Sequence, residues 1–144
     1  ILGAGGTARA AIYGMKSLNC NNINIHNRTV EKGVKLSSEF GCKYIQNLNQ
    51  IDEIDIVIST IPASIKYTLP LKIIELKPII FDVNYYPETT ALTQQGLDFQ
   101  CKIIRGIDML IYQGIEQNRI WTQSNGDFEK IKKHLLHNEV DKKS

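Results

Sequence analysis

Several protein classes are excluded by what this sequence has little of. It holds only three cysteines, Cys20, Cys42 and Cys101. Their number is odd and their spacing matches no zinc or redox motif, so free thiols in a reducing, cytoplasmic setting are expected, not a disulfide framework. Ten Gly and four Pro in 144 residues rule out collagen-like and low-complexity readings. No apolar run approaches the roughly 20 residues that cross a bilayer; even Ile54–Ile58 is interrupted by Asp55. Neither sign of charge dominates, since 17 Lys+Arg face 15 Asp+Glu for a formal net charge of +2. Without a basic stripe there is no electrostatic footprint for nucleic acid or an anionic membrane. What remains is a chain that is 42% hydrophobic, of a length that buries roughly 68–70% of its unfolded surface.

Strand and helix signals alternate along it. Thr7–Leu18 is Ala-rich with Ile12, Met15 and Leu18 about one turn apart, which predicts a helix packed on a sheet. Asn22–His26 alternates as a short strand. Val30–Phe40 reads as a helix that stops at Gly41, a residue suited to the left-handed position after a helix end. Further strands are expected at Lys43–Ile45, Ile54–Ser59, Ile79–Val83 and Lys102–Ile104, and further helices at Leu69–Leu76, Glu88–Gln95, Ile107–Trp121 and Asp127–His137. Parallel neighbours need long return connections, and right-handed crossovers put helices on both faces. The expectation is therefore α/β, a doubly wound parallel sheet over residues 1–123, followed by a C-terminal helix and polar tail over 124–144. Ile1-Leu2 is short for a strand, which usually runs to about five or six residues. The expectation is that the first strand begins upstream and that this chain is part of a longer polypeptide.

The chemistry-bearing pattern follows at once. Gly3-x-Gly5-x-x-Ala8 fits the dinucleotide fingerprint, in which the first glycine makes the tight turn and the second lets backbone approach a pyrophosphate. Ala8 keeps the helix close to the strand, and the free amides of the first helical turn face the anion. NAD-specific domains place Asp or Glu about 20 residues further on, to receive the ribose 2′-hydroxyl. Here that position holds Asn27-Arg28-Thr29, with Lys32 one turn beyond. Two cations and no carboxylate suit a 2′-phosphate, because a planar guanidinium forks onto phosphate oxygens. NADP is the expected cofactor; the bland alternative is that Arg28 and Lys32 are solvated charges beside Glu31.

Several blocks together resemble the nucleotide-binding half of shikimate dehydrogenases. They are Gly3-Ala4-Gly5-Gly6-Thr7-Ala8-Arg9-Ala10, Asn27-Arg28-Thr29, Ser59-Thr60-Ile61-Pro62, Asp82-Val83-Asn84-Tyr85 with Pro87, Thr90 and Leu92, and Gly106-Ile107-Asp108-Met109-Leu110 with Gln113, Trp121 and Thr122. The Gly-Thr-Ala-Arg-Ala-Ala-Ile-Tyr wording is most similar to the shikimate dehydrogenase portion of fungal pentafunctional AROM polypeptides. The resemblance implies that Gly3, Ala4, Gly5, Gly6, Thr7 and Ala8 hold the pyrophosphate, and Asn27, Arg28, Thr29 and Lys32 the 2′-phosphate. It further implies that Thr60 and Ile61 line the path to the nicotinamide. Val83, Gly106 and Met109 would lie against that ring, with Tyr85 and Gln113 reaching the substrate. The implied reaction is hydride transfer between NADPH and 3-dehydroshikimate, giving shikimate on the route to chorismate and the aromatic amino acids. The family's catalytic Lys and Asp belong to an N-terminal substrate domain, so no catalytic residue is expected here, and the upstream domain of the same polypeptide is the expected partner; a homodimer is also compatible. Two alternatives stand beside it: a catalytically inactive AROM-like repressor of the quinate pathway, and a quinate/shikimate dehydrogenase. Asn118 and Gln123 depart from residues common in the family.

Other features carry less. His134-x-x-His137 lacks the further ligands a metal needs, and no metal is expected. Asp52, Glu53 and Asp55 read as a solvated turn, and Tyr85-Tyr86 as part of the core or of a cleft wall.

Overall fold

The computed structural model describes the backbone of residues 1–140 and the side chains of residues 1–135. Parallel strands fall into two groups that the leading residues join. β1 (Asn24–Ile25) pairs with β2 (Lys43–Tyr44), and β3 (Ile56–Ser59), β4 (Ile79–Asp82) and β5 (Ile103–Arg105) pair in that order. Leu2 forms parallel bridges to His26 on one side and Ser59 on the other. The sheet order is therefore β2, β1, Leu2, β3, β4, β5. Backbone bonds from Leu2 N to the Ile58 carbonyl and from Gly3 N to the His26 carbonyl, both 2.8 Å, hold the centre.

Helices α1 (Gly6–Ser17) and α2 (Val30–Phe40) connect strands on one side of Leu2; α3 (Leu71–Ile74) and α4 (Ala91–Asp98) connect strands on the other. Winding proceeds in opposite directions from the centre, so right-handed crossovers set these pairs on opposite faces. Two buried clusters follow. Ala8, Ile12, Ile23, Ile25 and Leu36 pack under α1 and α2; Leu2, Val57, Ile73, Ile74, Ile80 and Leu92 pack under α3 and α4. The doubly wound α/β expectation holds.

Element edges differ from expectation where capping decides them. The helix expected at Glu88–Gln95 is α4, Ala91–Asp98, because Thr90 caps it: its Oγ1 accepts from Thr93 N, while Thr93 Oγ1 accepts from Thr90 N at 2.8 Å. The one expected at Leu69–Leu76 shrinks to α3 behind Pro70, since Lys77 turns to positive φ and ends it. The strand expected at Asn22–His26 pairs regularly only over Asn24–Ile25. α2 keeps its expected bounds, and the remaining edges move by at most three residues. Gly41 caps α2 at φ +60°, as its type required. Two further helices, α5 (Gly106–Thr122) and α6 (Phe128–Val140), finish the described chain. They join through a stacked pair, Tyr112 on Phe128 with ring centres 4.5 Å apart, and through Lys132 donating to Asp108 at 2.6 Å. The His137 side chain and residues 141–144 lie outside what is described.

Candidate functional site

The strand order reverses at Leu2, and ligands of open α/β sheets lie beyond the carboxyl ends of the strands at such a point. There the chain turns at Gly3, whose φ of +105° disfavours any L side chain. A Cβ at Gly3 would stand 2.3 Å from Thr60 Oγ1. Thr60 is fixed in turn, because its hydroxyl and its amide both donate to the Leu2 carbonyl, at 2.8 and 2.9 Å. Gly5, in extended conformation, precedes α1 without any side-chain cap, and α1 has no acidic residue in its first turn. Positions where Gly5 and Gly6 would carry a Cβ meet nothing within 4 Å. The result is a positive helix end with free amides and open space before it, a suitable cradle for an anion.

The end of β1 delivers cations to the same place. The Asn27 amide donates to the Thr29 carbonyl at 2.8 Å, shaping the turn into α2. Tyr44, from β2, donates its hydroxyl to the Asn27 carbonyl at 3.3 Å, with its ring against Gly33. Arg28 and Lys32 are exposed, and among the described residues neither enters an ion pair or hydrogen bond. Neither cation pairs with Glu31, and both side chains are open to solvent.

One groove of about 640 Å³ collects Gly3, Ala4, Gly5, Asn27, Arg28, Thr29, Lys32, Thr60 and Ile61. Volumes of this order are those of small-molecule sites. Gly6 and Thr7 lie just beyond it, exposed on the first turn of α1, and Ala8 is fully buried beneath. The groove also takes His26, Pro62, Ile65 and Tyr67 as walls. Pro62 stands in a quoted block without having been expected at the site, and Tyr67 gave no signal in the sequence. Burial pushes the Tyr67 phenol above its usual pKa, so it presents a neutral hydroxyl. An apolar cavity lined by Ile1, Ile23, Ile54 and Ile79 lies at the opposite, amino ends of the strands.

Of the remaining predicted residues, two share a second depression, while Val83, Gly106 and Tyr85 line neither it nor the groove. Met109 and Gln113, one turn apart on α5, line a depression with Phe81, Ile104, Tyr112 and Glu116. Gly106 begins α5 so close to the end of β4 that a Cβ would stand 2.4 Å from both the Val83 and the Asn84 carbonyl oxygens. Tyr85 and Tyr86 are 56% and 74% exposed and line neither depression, so the pair belongs neither to the core nor to these walls. Among the described residues no group of three His, Cys, Asp or Glu could hold a metal, and no helix is long and apolar enough to cross a membrane.

Comparison with known proteins bears on this geometry. Residues 1–74 match the family model for shikimate / quinate 5-dehydrogenase, and residues 106–136 match that for the shikimate 5′-dehydrogenase C-terminal domain. A pentafunctional AROM polypeptide of Kluyveromyces lactis is 34% identical over 91% of this chain and 10% of its own length. A shikimate dehydrogenase (NADP(+)) of Ignicoccus hospitalis is 32% identical over 94% of this chain and 53% of its own. A shikimate dehydrogenase solved in complex with NADP+ superposes with a TM-score of 0.76 at 30% identity, over 95% of this chain and 53% of that one. The chain thus spans about half the length of the single-function relatives it matches.

Proposed function

The chain belongs to the shikimate / quinate 5-dehydrogenase family, and on that premise we propose that it is the NADP-binding half of a shikimate dehydrogenase. The observation that carries the proposal is the meeting, in one groove, of an uncapped helix start with two unpaired cations and no carboxylate at the strand tip. NADPH, when bound, supplies a hydride for the ring ketone of 3-dehydroshikimate. The residues of this chain bind and orient it. Gly3–Ala8 receive the pyrophosphate; Asn27, Arg28, Thr29 and Lys32 receive the 2′-phosphate; Thr60 and Ile61 wall the path onward. Val83, Gly106 and Met109 face the nicotinamide, with Tyr85 and Gln113 toward the substrate. The domain occupies residues 1–123, with 124–144 as an appended helix and tail.

Orientation of this kind converts an encounter between two molecules into a step within one complex, which is where a binding half contributes to rate. The proton for the substrate oxygen and the groups that supply it belong to a substrate domain outside this chain. A second copy of the chain is a compatible partner. Titrating the protein with NADPH and with NADH, read by cofactor fluorescence, tests the proposal. Saturable binding with a clear preference for NADPH is expected; absence of binding, or equal affinity for both, would overturn it.

A further inference from the structure

Beyond the groove itself, the tip of β4 holds a polar cluster that neither substrate nor cofactor binding explains. Asp82 is only 2% exposed. Its Oδ2 accepts from Thr90 Oγ1 at 2.6 Å, and its Oδ1 accepts from Asn84 N at 3.1 Å and Asn84 Nδ2 at 2.6 Å. The Asn84 amide reaches in the other direction as well. Nδ2 donates to the Ile61 carbonyl at 2.8 Å, and Oδ1 accepts from Ala63 N at 3.2 Å. Both amide protons and the amide oxygen are therefore used by three different backbone or carboxylate partners.

We propose that Asn84 is a positioning residue that ties the Ile61–Ala63 turn, one wall of the phosphate groove, to the end of β4, where Val83 and Gly106 meet. This rests on the NADP reading given above. Ile61 and Pro62 line the groove that contains Arg28, while the Val83 and Asn84 carbonyls pack against Gly106. A single side chain thus spans the two loci along which an extended dinucleotide would lie. Only an amide of this length serves. Asp would offer no donor and would bring a second carboxylate against Asp82, Ala would leave the Ile61 carbonyl and the Ala63 amide without partners, and Gln would overreach by one methylene.

The grip on the 2′-phosphate end comes from Arg28, Lys32 and the glycine turn, none of which Asn84 touches. Loss of Asn84 should misplace the far end of the ligand and leave the near end held. The test uses the natural full-length polypeptide and two probes, NADPH and adenosine 2′,5′-bisphosphate, which lacks the nicotinamide half. Asn84→Ala should weaken NADPH by about tenfold, the equivalent of one unreplaced hydrogen bond, while the bisphosphate changes by less than about threefold on the same scale. If that variant fails to fold, seen as loss of both ligands with a collapsed melting transition, Asn84→Ser keeps a short donor and is read with the same pair. Equal losses for both probes in a folded variant, or no loss for either, overturn the role of Asn84. A wild-type protein that binds neither probe overturns the NADP reading instead.

Discussion

Replacing Arg28 with alanine separates the 2′-phosphate contact from the rest of the groove. The side chain is exposed and, among the described residues, free of ion pairs and hydrogen bonds. Its removal should leave stability within about 0.5 kcal/mol of wild type, as for other surface changes. Bound to phosphate, a guanidinium makes charge-assisted hydrogen bonds, each worth about 1.5–3 kcal/mol net. The groove is open to water and Lys32 remains as a second cation, so the loss should amount to one such contact and not two. At about 1.4 kcal/mol per tenfold, NADPH affinity falls roughly 10- to 150-fold. NADH has no 2′-phosphate, so its affinity should not move. Fluorescence titrations of both nucleotides at low and high salt give the readout. In the wild type the NADPH preference should shrink as salt screens the pair, and in Arg28→Ala it should be smaller and less sensitive to salt, with Lys32 carrying what remains. Equal losses for NADH and NADPH would show that Arg28 supports the groove's shape, refuting the assignment. An unchanged NADPH affinity in a folded variant would do the same.

Three other outcomes follow from close approaches and burial. Gly106→Ala puts a Cβ 2.4 Å from two backbone carbonyl oxygens, which cannot rotate away; a destabilisation of about 1–3 kcal/mol is expected, read as a lower Tm. Gly3→Ala combines strain at φ +105° with a clash on Thr60 Oγ1, so adding Thr60→Ala should recover part of the lost Tm but not all; full recovery would mean the backbone there is unstrained. Burial pushes the Cys101 thiol above its ordinary pKa. It should therefore stay protonated at mildly alkaline pH and react with iodoacetamide after Cys20 and Cys42, and its reaction should accelerate as pH rises; first labelling at Cys101 would contradict its placement.

Much of this fold was legible because its signals are local. The Ile/Val runs of β3 and β4, the apolar spacing of α1 and the glycine after α2 each depend on a few consecutive residues. The placement of Asn27-Arg28-Thr29 was legible for a similar reason, since a fixed distance from the glycines puts the next strand tip beside the turn. Nine predicted residues consequently line one groove. What escaped were residues whose role is set by a partner far away in sequence. Tyr44 reads as part of a weak strand, yet its hydroxyl steadies the Asn27 carbonyl from 17 positions away. Tyr67 follows a left-handed Lys66 and turns into the groove wall with no periodic pattern to announce it. The start of α4 was misplaced because its capping box uses Thr at the third position, where Glu or Gln is the usual signal.

Asn84 shows why such residues matter more to the site than their inconspicuous sequence suggests. It stands within the Asp82–Tyr85 block, next to residues assigned to the nicotinamide, and could be taken as one more ligand contact. Its amide is instead consumed by Asp82, Ile61 and Ala63. A buried donor or acceptor left without a partner costs about 1–3 kcal/mol, so these bonds fix the separation between the β4 tip and the turn that faces Arg28. Gly106 fixes the opposite side of the same tip by admitting two carbonyls where any side chain would exclude them. The loops proposed to carry binding residues are thereby held by contacts among themselves, so on that reading binding energy need not be spent on ordering them.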